Sequence, residues 1–110
     1  MNSDLEAEIA RLHAEICAGL ADPNRIMILY ALSEGPRNVT EICRESHMPQ
    51  PLVSRHLKVL RERDMVRTER HGTVMTYSLA DQRLIQALDL LRAVMHDNLA
   101  KRAVLVKAMT

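Results

Sequence analysis

The residues best suited to chemistry lie in one run, Gln50-Pro51-Leu52-Val53-Ser54-Arg55-His56-Leu57-Lys58-Val59-Leu60-Arg61. If the run is helical, Val53, Leu57 and Leu60 share one face and pack inward, while Ser54, Arg55, Lys58 and Arg61 project from other parts of the cylinder. Cations and a hydroxyl offered this way suit a polyanion. Ser54 and Arg55, near the helix start, suit base edges, and Lys58 and Arg61 suit phosphates. Gln50 and the free amides of the first turn, which tolerates Pro51, could hold a phosphate at the positive end of the helix dipole. Arg70, His71 and Thr73 surround Gly72 and form a second, smaller set of donors. His56 lies inside the first run and is expected to face the same ligand.

A second chemistry is offered by thiols. His13 and Cys17 are four apart and could face one ion, with Cys43 as a third ligand, a credible set for a soft metal. The same two cysteines could instead form a thiol switch responding to redox or sulfur species, or sit as small buried hydrophobes. A thiol bridge would need the two Cα atoms about 4.4–6.8 Å apart. Catalysis finds no support: the three glycines are scattered singly, with no phosphate-cradling loop and no Ser/His/Asp or Cys/His set, so no enzyme activity and no cofactor are expected.

These residues need elements to position them. Leu5, Ile9, Leu12 and Ile16 recur at helical spacing, which predicts a helix over residues 3–17, capped by Ser3 with Glu6 as reciprocal partner and ended by Gly19. Asp22-Pro23 reads as N-cap and first-turn proline of a second helix through Leu32, stopped by Gly35-Pro36. A short third helix, Thr40 to Glu45, starts at Asn38 or Thr40. The tight link His47-Met48-Pro49-Gln50 leads into a fourth over residues 50–63. The period then changes. Residues 65–70 and 74–79 read as a hairpin around His71-Gly72-Thr73. Asp81 caps a last helix striped by Leu84, Leu88, Leu91, Met95 and Leu99, with Ile85, Leu90 and Val94 widening the apolar surface. The predicted class is mainly α with a small β-hairpin, in the order α-α-α-α-β-β-α. Helix, turn, basic helix and hairpin in succession make a winged helix-turn-helix, whose second helix enters the major groove of DNA.

Length and composition agree. The chain has 110 residues, which fits one domain over 1–110, and 47% are hydrophobic, which argues against disorder. Aromatics are 2%, the two tyrosines alone, so the core must be aliphatic and Met-rich, which suits packed helices. The net charge of +1 is unevenly spread. Residues 1–49 hold four basic and eight acidic side chains; residues 50–71 hold six basic and three acidic. No apolar run approaches the roughly 20 residues of a membrane span. The start Met1-Asn2-Ser3-Asp4 lacks a secretory signal, so a cytoplasmic protein with no membrane partner is expected.

Three runs in order resemble the ArsR/SmtB family of bacterial repressors. Leu20-Ala21-Asp22-Pro23-Asn24-Arg25-Ile26-Met27-Ile28-Leu29 is similar to its second-helix signature, residues 49–61 to its recognition helix, and Met65 to Leu79 to its wing. The resemblance spans about Leu12 to Leu99. It implies a homodimer, joined through first and last helices, that binds a palindromic operator as a repressor and is released by an inducer. It also implies that the family's usual metal sites are missing. Asn38 and Thr40 stand where arsenic and cadmium sensors carry Cys-x-Cys. Asp81 and Asp97 match zinc and nickel ligands, but Arg83 and Val94 replace the partners, and His96 is two positions off register. No metal is therefore expected unless His13, Cys17 and Cys43 form a non-standard site. The alternative to DNA binding is a winged-helix module that contacts protein.

Overall fold

The computed structural model describes residues 2–109, so Met1 and Thr110, the ends of the expected 1–110 domain, lie outside the described residues. Helix α1 is Ser3–Leu12 and continues without a break into a wider turn, His13–Cys17. Then follow α2 (Pro23–Ser33), a short strand β1 (Arg37–Asn38), α3 (Val39–Ser46), α4 (Gln50–Glu62), the hairpin β2 (Val66–His71) and β3 (Val74–Leu79), and α5 (Arg83–Met109).

The cap of α1 differs from expectation. The side chain of Asn2, not Ser3, accepts from the amides of Asp4 at 2.7 Å and Leu5 at 3.4 Å. Asparagine is at least as good a cap as serine, and it stands one residue earlier. Asp22 and Pro23 open α2 as expected, the Asp22 carboxylate accepting from the Asn24 amide at 2.8 Å. Asn38 and Glu41 close a reciprocal capping box on α3.

The strand β1 has no sequence signal of its own. Its two residues pair antiparallel with β3, Arg37 opposite Tyr77 and Asn38 opposite Thr76, giving the sheet order β1-β3-β2. Two residues are too few to show a period, and Asn38 reads locally as a helix cap, which it also is. The hairpin register pairs Val66 with Leu79 and His71 with Val74. His71 thus belongs to the strand, and the turn is Gly72-Thr73 alone. Gly72 has φ +64° at the first turn position, where a side chain would be strained.

The core is aliphatic: Ile28, Leu29 and Leu32 from α2, Ile42 from α3, Val53, Leu57 and Leu60 from α4, then Met65, Val66 and Leu88. Of α5, only Leu88 is fully buried. Its 27 residues run about 40 Å, and most of that length has nothing packed on it. Leu90 is 70% exposed, and Leu91, Val94, Met95, Leu99, Val104, Leu105 and Val106 are exposed as well. Leu5, Ile9 and Leu12 of α1 are likewise exposed. The radius of gyration is 17.5 Å, against about 13 Å for a compact chain of this length.

Candidate nucleic-acid interface

The turn between α3 and α4 is set by His47, which adopts the left-handed conformation (φ +59°) and donates its amide to the Cys43 carbonyl at 2.9 Å. Histidine is among the side chains that tolerate this region. Pro49 then precedes α4 without a side-chain cap. Pro51 has no amide, and those of Leu52 and Val53 return to the Pro49 carbonyl, each at 3.1 Å. Of the first turn only the Gln50 amide is left for a ligand, fewer than expected.

Val53, Leu57 and Leu60 are buried, and Gln50, Pro51, Ser54, Arg55, Lys58 and Arg61 are exposed. Beside them Arg70, His71 and Thr73 are exposed at the hairpin end, His71 lying 3.7 Å from Glu69. Among the described residues, Arg55, Lys58, Arg61 and Arg70 enter no ion pair, whereas Arg25, Arg37, Arg83 and Arg92 each pair with a carboxylate. Cations spent on internal pairs hold the fold; those left on one helix and its neighbouring hairpin are open to an outside anion. Arg44, exposed in the last turn of α3, and Arg67, exposed on β2, carry further charge that the sequence reading passed over. Their proximity to the basic helix comes from tertiary packing, although Arg44 follows Thr40 by one helical turn.

His56 is the correction. Its ring is only 6% exposed and faces inward. Nδ1 lies 3.5 Å from Nη1 of Arg25, and Nε2, 4.0 Å from Asp22 Oδ1, has no hydrogen-bond partner. A ring so buried cannot be offered to a groove. Position 56 follows Val53 by three and precedes Leu60 by four, which is the spacing of the inward face, and that spacing was the available signal.

The thiols do not form the trio considered above. Cys17 is exposed rather than buried, Cys43 is half-buried against the core, and both are free. Among the described residues no three His, Cys, Asp or Glu side chains are placed to hold a metal ion, so His13, Cys17 and Cys43 do not converge within the chain. Asp81 is engaged elsewhere. Its carboxylate accepts from the Arg83 amide at 2.9 Å and from the guanidinium at 2.7 Å, which hold its pKa down to about 2.

Comparison with known proteins agrees with this geometry. A sequence model described as "Bacterial regulatory protein, arsR family" matches residues 22–68, from the cap of α2 into β2. The transcriptional repressor SmtB of Mycobacterium tuberculosis is 43% identical over 89 residues, 81% of this chain, and the chain spans 64% of that protein's length. The regulator NmtR of the same organism is 38% identical over 88 residues, covering 80% of this chain and 73% of that one. A homodimeric winged helix-turn-helix DNA-binding domain from Mycobacterium bovis superposes with a TM-score of 0.75 at 28% identity, over 89% of this chain and 91% of that one.

Proposed function

The chain belongs to the ArsR family of bacterial regulatory proteins, and from that premise we propose that it is a transcriptional repressor that binds a palindromic operator as a homodimer. The observation that carries the reading is the row of unpaired cations on α4 and the adjoining hairpin, in a chain whose other buried or bridging arginines are paired. In this reading α4 enters the major groove. Ser54 and Arg55 read base edges, Lys58 and Arg61 hold phosphates, Gln50 and Pro51 border the backbone at the first turn, and Arg70, His71 and Thr73 follow the groove from the wing. The chain is one domain over 1–110, with its first and last helices serving as dimerisation arms. Two copies related by a twofold axis bury each other's apolar α1 and α5 surfaces and present two basic helices, which is why the operator is palindromic. The setting proposed is the cytoplasm; no helix among the described residues is long and apolar enough to cross a membrane.

The proposed inducer is a thiol-reactive oxidant or sulfur compound acting at Cys17 and Cys43. Cys17 is exposed to such a reagent and Cys43 is partly so. The deciding experiment is selection from a random duplex pool, followed by gel shifts of the enriched duplex with and without peroxide or persulfide. An enriched inverted repeat is expected. A pool that never enriches would sink DNA binding and favour a protein-contacting module. Equal inducer response by Cys17→Ser/Cys43→Ser and wild type would remove the thiol assignment.

A further inference from the structure

Two arginines that face away from the DNA-binding row join the first helix to the recognition helix. Arg63, at the C-cap of α4, donates from Nη1 to the Ala14 carbonyl and, at 3.4 Å, to the Glu15 carbonyl. Both carbonyls lie in the wide turn His13–Cys17, where the Ala18 amide reaches back five residues to the His13 carbonyl at 2.9 Å. Winding by five rather than four shifts each amide off its usual acceptor, so outside donors are needed there. Arg25 completes the arrangement from α2. Its Nε donates to the Gly19 carbonyl at 2.8 Å and its Nη2 to the Ala18 carbonyl at 3.1 Å, while Nη1 faces His56 of α4. A guanidinium can only donate, so Nδ1 of His56 must accept and the ring proton sits on Nε2, toward Asp22. Between the two arginines Gly19 is buried. A Cβ there would meet Met65 Sδ at 2.6 Å and Arg63 Cδ at 3.0 Å, so the end of the first helix rests against the end of α4 with no side chain of its own between them.

We propose that Arg63 and Arg25 are positioning residues that lock the recognition helix to the first helix, so that the angle of α1 sets the angle at which α4 meets DNA. The planar fork of arginine suits this task because one side chain reaches two carbonyls in fixed geometry, which an ammonium on a flexible stem does not. Since α1 is also a proposed dimerisation arm, the joint gives the partner copy a route to the DNA-facing surface. The inference rests on the DNA-binding reading, and its test keeps the two apart.

The test compares full-length wild type, Arg63→Met and Arg63→Lys, each first confirmed as folded by its melting curve. Binding to the selected duplex is followed over a salt series. Arg63→Met should bind roughly ten-fold or more weakly with an unchanged salt slope, because no phosphate contact is lost, and Arg63→Lys should recover only part of the affinity. Amide exchange without DNA supplies the second readout: segments 14–20 and 56–63 should lose protection together in Arg63→Met. A salt slope that falls by about one would make Arg63 a phosphate contact and overturn the proposal. Unchanged affinity in a folded variant, or exchange altered in one segment alone, would overturn it as well. If wild type binds no duplex, the DNA reading fails while the exchange result still decides whether the joint exists.

Discussion

Arg55 and Lys58 lie on one helix yet should fail differently when truncated. Arg55→Ala should weaken binding to the selected operator by about 1–3 kcal/mol and relax its sequence preference. Lys58→Ala should weaken specific and mixed-sequence duplexes alike and flatten the salt dependence. Gel shifts at several salt concentrations separate the two, and equal wild-type binding by both would show that this face is misassigned. Gly19→Ala acts on stability instead. The added methyl collides with Met65, which is fully buried, so a loss of about 1–3 kcal/mol is expected in denaturant unfolding. At this scale the sequence was a fair guide where periodicity spoke: Val53, Leu57 and Leu60 are inside and Arg55, Lys58 and Arg61 outside. It misled at His56, because a polar ring on the inward face looks like a ligand-facing group until Arg25, distant in sequence, is seen beside it. Arg63 was opaque for the same reason, since its acceptors are carbonyls 48 and 49 residues away.

The elements depend on caps whose contributions can be measured. Asn38 caps α3 and also pairs with Thr76 in the sheet. Asn38→Ala should therefore cost about 1 kcal/mol or more of stability in urea melts, since one change loosens a helix start that is also a strand. Asp81 holds the start of α5 through Arg83. Because its carboxyl is lowered to about 2, the charged form is the one the fold favours. That contribution is complete above the ordinary carboxylate range and fades only as pH falls toward 2. Melting temperatures of Asp81→Ala and wild type should thus differ near neutral pH and draw together on acidification; a gap that stays constant to low pH would contradict the pairing. Helices with strong caps and glycine or proline stops were legible to within a residue or two. The wide turn at His13–Cys17 was not, because its residues keep the apolar spacing of an ordinary helix and the change of winding lies in backbone hydrogen bonds.

A chain of this length with a radius of gyration of 17.5 Å carries surface that a solitary copy would not keep. Leu91 and Met95 lie on α5 one turn apart, and both are more than half exposed. If copies pair through this helix, Leu91→Asp/Met95→Asp should sediment as a monomer at micromolar concentration and bind the operator far more weakly, since one basic helix engages only half a site. A dimer that persists in this variant would place the contact elsewhere. Charge at this scale was readable only after division: the near-neutral total conceals an acidic front part and a basic helix with its hairpin.

The link between α2 and α5 also gives the molecule an optical handle. The Tyr30 hydroxyl donates to Asp89 at 2.6 Å, and the Arg92 guanidinium sits 5.3 Å from the centre of the ring. With no tryptophan in the chain, ultraviolet emission comes from Tyr30 and Tyr77 alone. A phenol bound to a carboxylate emits weakly because the excited ring readily gives up its proton. Any event that lifts α5 away from α2 should therefore brighten the protein without an added dye, and Tyr30→Leu would silence that signal while leaving Tyr77 as an internal standard.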